Sequence, residues 1–162
     1  NSVRAAVGKG ECEIHTFDPT GDFSRFMKNL DGKSFYHRWG LKSSGAEPKG
    51  SQYSRLQAKG ATSKHGPYYS LAEIVKRLGH EDRIIDLFKI DCEGCEWSVS
   101  QDIATQMNIR QVMMEVHSDP FSALENTFEF FKTFTTNGMI MYSKEINSRS
   151  IAAVEFSFIR LK

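Results

Sequence analysis

From residue 85 to residue 97 the chain reads Ile-Asp-Leu-Phe-Lys-Ile-Asp-Cys-Glu-Gly-Cys-Glu-Trp, an apolar stretch that stops at three carboxylates around one glycine. Ile85, Leu87, Phe88 and Ile90 suit a strand at about 84–91 that is buried on both faces, and such strands belong to parallel sheets covered by helices. Asp91, Glu93 and Glu96 do not suit that interior. In open α/β sheets ligands bind beyond the carboxyl ends of the strands, which is where Asp91 and Glu93 emerge.

The flanking segments supply helices. Ser70 and Glu73 form an S-x-x-E capping box, Leu71, Ile74, Val75 and Leu78 repeat on one face, and Gly79 follows as a stop. Trp97, Val99, Ile103 and Met107 mark the buried face of a helix beginning at Glu96, and a strand at about 109–117 comes next. Asp119 and Pro120 open a longer helix lined by Phe121, Leu124, Phe128, Phe131 and Phe134, which ends at Asn137-Gly138. Residues 139–144 and 152–161 read as two strands joined by a polar turn, short enough for an antiparallel hairpin.

Upstream, residues 11–18 alternate like a strand with Cys12, Ile14 and Thr16 on one side, and Phe23, Phe26, Met27 and Leu30 recur at helical spacing. Residues 34–39 form an aromatic-rich strand, whereas 41–69 show no period and read as the longest loop. Strands alternating with helical crossovers predict one α/β domain over residues 1–162, with a mostly parallel sheet and a C-terminal antiparallel hairpin.

At 162 residues, 40% of them hydrophobic and 25% charged, the chain can bury one core. A formal charge of +1 gives no electrostatic reason for a nucleic-acid partner or an anionic membrane, and no apolar run reaches membrane-spanning length. Three cysteines, Cys12, Cys92 and Cys95, are too few for a disulfide framework and fit a reducing compartment such as the cytoplasm. Cys92 and Cys95 accordingly read as structural thiols in preference to a redox pair. His15, His37 and His80 carry no motif and read as surface or satisfied polar residues.

Four segments together, Phe17-Asp18-Pro19, the block 70–97, Met114-Glu115-Val116-His117 and Lys144-Glu145-Ile146-Asn147, resemble the FkbM-like branch of class I S-adenosylmethionine-dependent methyltransferases. That branch carries Asp-x-Glu-Gly-x-Glu after its fourth strand, and Asp91, Glu93, Gly94 and Glu96 match it. The resemblance implies a Rossmann-like fold, S-adenosylmethionine as cofactor, and O-methylation of a small-molecule or sugar hydroxyl. It sets Asp18 at the cofactor's ribose hydroxyls with Phe17 beside it, Gly40 and Leu41 near the adenine, and Asp91 between the methionine end and the substrate.

Asp91, Glu93, Glu115 or His117 is then the base that takes the hydroxyl proton, and the sequence does not choose among them. Glu96 reads as mostly structural, since a carboxylate in a helix's first turn is favourable; no metal is implied, and Glu145 and Asn147 match without a chemical role. The family's first strand and glycine-rich turn have no counterpart before Asp18, so the chain reads as an N-terminally truncated domain that on its own binds the cofactor weakly or not at all and is inactive. The reading from another class is a non-catalytic domain of the same fold that binds a partner. A nucleotide-binding domain of other chemistry lacks the expected glycine fingerprints.

Overall fold

In a computed structural model the described residues are 12–21, 34–45, 66–117, 124–147 and 152–161, and they form eight strands and three helices. The strand β1 (Ile14–Phe17) pairs in parallel with β2 (Ser34–His37). Two residues after β2, β3 (Gly40–Leu41) pairs in parallel with β4 (Tyr68–Tyr69), so the two ends of the expected long loop form a short ladder instead. Gly40 is required there, because a Cβ would lie 2.3 Å from the Tyr68 ring. The helix expected over Phe23 to Leu30 and the Asp119-Pro120 helix start lie outside the described residues.

The capping box forms α1 (Leu71–Leu78): Ser70 N–H donates to Glu73 Oε2 at 2.8 Å, and Glu73 N–H donates back to Ser70 Oγ at 3.3 Å. Gly79, at φ 66, ends the helix in the left-handed conformation that glycine adopts without a Cβ clash. Then come β5 (Phe88–Ile90), α2 (Glu96–Thr105), β6 (Gln111–His117), α3 (Leu124–Thr136), β7 (Met139–Ile146) and β8 (Ala153–Arg160). The four later strands make one sheet in the order β5-β6-β8-β7. Strand β5 runs parallel to β6, while β8 is antiparallel to both β6 and β7. Mostly parallel pairing with an antiparallel C-terminal hairpin is the α/β class the alternation predicts.

The core lies where α2 and α3 cover this sheet. Val99 and Ile103 of α2, Phe134 of α3, Val112 and Met114 of β6 and Phe158 of β8 have no exposed surface. Phe134 stacks on Phe158 with ring centroids 4.3 Å apart. The Arg160 guanidinium ties the helix ends together by donating to Ala104 O at 2.8 Å and Asn137 O at 2.5 Å.

Three expected core positions face outward. Leu87 is exposed because it precedes the three-residue β5 ladder. Met107 is 69% exposed because α2 stops at Thr105 and leaves it in the following turn. Phe128 is 64% exposed and Phe130 takes the inward place, two residues and about 200° further round the helix. Replacing Phe134 with Ala should lower the unfolding free energy by about 3–5 kcal/mol in urea denaturation, since the rings on either side cannot close the cavity.

Candidate functional site

Chain leaving β5 reaches α2 through a tight turn at residues 91–95, and the turn is organised by the first residue of α2. The Glu96 side chain has no exposed surface, and its Oε1 and Oε2 accept the N–H groups of Cys92 at 2.6 Å and Gly94 at 2.8 Å. Those bonds hold Glu93 at φ 57 and Gly94 at φ 104, a left-handed stretch that glycine adopts without strain and glutamate does not. Burial pushes the Glu96 carboxyl above its ordinary range, an effect the two N–H donors only partly offset.

Across the same turn Cys92 and Cys95 are joined by a disulfide, which corrects the reading of two structural thiols. The turn holds their Cα atoms 5.4 Å apart, within the span a disulfide covers, and sequence spacing alone did not reveal that closure. Cys12 stays a thiol. With two of three cysteines bonded, the cysteine count no longer argues for a reducing compartment.

Strand β6 delivers His117 to the same place, and Trp97 of α2 pins it by donating Nε1–H to the His117 carbonyl at 2.8 Å. The imidazole Nε2 lies 3.5 Å from Glu93, 3.8 Å from Asp91 and 3.9 Å from Glu115, while Nδ1 lies 3.4 Å from Glu96. Four carboxylates thus surround one ring. Asn147, which follows β7, donates to Glu115 Oε1 at 2.7 Å, which supplies the role the sequence did not reveal. Burial raises the Asp91 carboxyl, and repulsion from Glu115 adds to it more than His117 takes away. Asp91, Glu93 and His117 each bring a ligand atom close enough to hold an ion, although an ion-paired cluster accounts for them as well.

The expected cofactor residues sit on the other ladders, again at the carboxyl ends of parallel strands. Asp18 follows β1, and its Oδ1 accepts Thr20 N–H at 2.8 Å, Thr20 Oγ1–H at 2.7 Å and Gly21 N–H at 3.0 Å. Tyr36 donates its hydroxyl to the Asp18 carbonyl at 3.0 Å, and Phe17 stacks on His37 at 4.9 Å. An acceptor-only carboxylate in this place fits a ribose diol, whereas the space beside Gly40 is filled by Tyr68 and Leu41 is half-buried. The structure therefore gathers Asp91, Glu93, Glu115 and His117 into one cluster and leaves Phe17, Asp18, Gly40 and Leu41 on the neighbouring ladders.

Parallel strands whose carboxyl ends carry acidic side chains, with an antiparallel hairpin closing the sheet, make an α/β, Rossmann-like domain. The chain belongs to the family described as a methyltransferase domain, which it matches over residues 1–160. It is 27% identical over 115 residues to the probable methyltransferase-like protein 24 of Homo sapiens. That match covers 69% of this chain and 28% of the human protein, so the chain spans little more than a quarter of that relative.

Among solved structures it is similar to the Methanococcus jannaschii fibrillarin pre-rRNA processing protein, at 13% identity and a TM-score of 0.46, over 99% of this chain and 74% of that one. It is also similar to Aeropyrum pernix fibrillarin in complex with natively bound S-adenosyl-L-methionine, at 12% identity and a TM-score of 0.47, over 92% and 67%. Among the described residues no helix is long and apolar enough to cross a membrane.

The raised Glu96 carboxyl has a measurable consequence. Above the ordinary value of 4.5 the folded state still holds a proton that the unfolded chain has released, so this group's contribution to stability is lost as pH rises towards the folded-state value. Glu96→Gln should flatten that decline in urea denaturation run from acid to neutral pH. At neutral pH it should also cost about 1–3 kcal/mol, because an amide accepts only one of the two N–H groups.

Proposed function

We propose that the chain catalyses transfer of a methyl group from S-adenosylmethionine to a hydroxyl of a small molecule or sugar, with Asp91 as the base. The observation that carries this reading is the ring of carboxylates on His117, with Asp91 at 3.8 Å, Glu93 at 3.5 Å and Glu115 at 3.9 Å. A hydroxyl acceptor must lose a proton, and a carboxylate raised above its ordinary range is a stronger base once ionised. Asp91 is also open enough to solvent to meet a substrate. Glu93, Glu115 and His117 line the same site.

The donor supplies an electrophilic methyl group on a sulfonium. Asp18 would hold the ribose hydroxyls, with Phe17 beside it and Gly40 and Leu41 towards the adenine. The pattern Asp91, Glu93, Gly94 and Glu96 supports assignment to the FkbM-like branch.

One observation favours a non-catalytic, partner-binding domain instead: the Asp18 oxygen engaged by Thr20 and Gly21 already accepts three hydrogen bonds. Calorimetric titration of S-adenosylmethionine separates the two readings. For the enzyme, wild type binds and Asp18→Ala weakens binding by roughly 10–100-fold, the worth of hydrogen bonds to a charged acceptor. Absence of binding both by the wild type and by a form extended upstream by about one strand and one helix supports the partner-binding domain, and binding by the extended form alone supports the enzyme. In a methyl-transfer assay Asp91→Asn should lower kcat by roughly 10²–10⁴-fold, the usual contribution of a general base. The wild-type rate should fall as pH drops through the raised Asp91 pKa, and the variant should lose that limb.

A further inference from the structure

Away from the carboxylate cluster, a second set of ligating side chains converges where β1 begins and α1 ends. Glu13 and His15 are two residues apart on extended chain, which turns both side chains to one face, and His80 follows the Gly79 cap. Glu13 Oε2 lies 3.4 Å from His15 Nε2 and 3.5 Å from His80 Nε2, and the three atoms all lie within 4.8 Å of one another. A tetrahedral ion with bonds of about 2.0–2.1 Å spaces its ligand atoms roughly 3.3–3.4 Å apart. Two edges of that tetrahedron are therefore already set.

The surroundings fit the same geometry. His37 Nε2 lies 2.9 Å behind His15 Nδ1, so His15 can donate Nδ1–H there and turn the Nε2 lone pair forward, as metal-bound histidines usually do. Arg83 Nη1 lies 2.6 Å from Glu13 Oε2 and 2.9 Å from His80 Nε2. Arginine only donates, so His80 offers a lone pair at Nε2 and carries its proton on Nδ1. The cluster has thus gathered one positive charge, on a side chain about half exposed and able to swing into solvent.

We propose that Glu13, His15 and His80 form a zinc site, with the Arg83 guanidinium as its resident cation in the metal-free protein. Water completes the tetrahedron. The ion pins β1 to the connection between α1 and β5, and so joins the β1–β2 ladder to the four-stranded sheet, with which it shares no strand pairing among the described residues. Asp18 and Asp91, beyond the carboxyl ends of β1 and β5, take no part in it.

The test is titration of zinc, and of cobalt(II) as a reporter of tetrahedral coordination, into the whole protein without reductant, with thermal unfolding followed in parallel. One equivalent of cobalt should develop the visible absorption of a tetrahedral ion, and zinc should raise Tm. His80→Ala should abolish both effects and His37→Ala should weaken binding by roughly 10–100-fold, the usual loss when the partner of a metal-bound histidine is removed. Arg83→Ala, which removes only a surface side chain, should tighten binding because the competing cation is gone. Absence of binding by both wild type and Arg83→Ala overturns the proposal, as does weaker binding by Arg83→Ala. Loss of binding in His117→Ala with retention in His80→Ala also overturns it, by moving the ion to the other cluster.

Discussion

A carboxylate sealed from solvent, Glu96, is the contact on which the order of the candidate site depends. Burying an ionisable group is costly unless hydrogen bonds serve it, and here the donors are the N–H groups of the turn that leads into its own helix. Satisfying the carboxylate and shaping the turn are one event. The turn's left-handed residues are held by it, Asp91 and Glu93 are presented on one side of it, and the disulfide closes it from another. His117 then enters a site whose negative charge is already assembled, with Trp97 fixing the end of β6 against α2.

Elements set by local chemistry were legible in the sequence. The capping box and Gly79 marked the two ends of α1, and Glu96 marked the start of α2 because acidic and apolar residues change places there. The expected strand at 109–117 corresponds to β6, and the expected hairpin to β7 and β8. The phase of α3 was not legible, because its phenylalanines are dense enough to suggest more than one apolar stripe, and packing against Phe158 selects the one through Phe130 and Phe134.

Non-local features were hidden for a different reason. Spacing in Cys92-x-x-Cys95 is compatible with thiols and with a disulfide, and the fold of the turn decides between them. His15, His37 and His80 are separate in sequence and carry no motif, so only parallel pairing of β1 with β2 and the return of the chain after α1 bring their rings together. Asn147 had no visible role until β7 came to lie where its amide reaches Glu115. Side chains that serve the site from a distance are legible only once the topology is known.

Strand β8, synthesised after β7, lies between β6 and β7 and pairs with β6 over Gln111 to His117. On a growing chain β6 and β7 cannot therefore zip up in the order of their synthesis. Until β8 has emerged, the backbone edge of β6 from Gln111 to His117 lacks its partner. His117 sits at the end of that strand opposite Ala153, so the edge that β8 completes includes the residue at the centre of the candidate site.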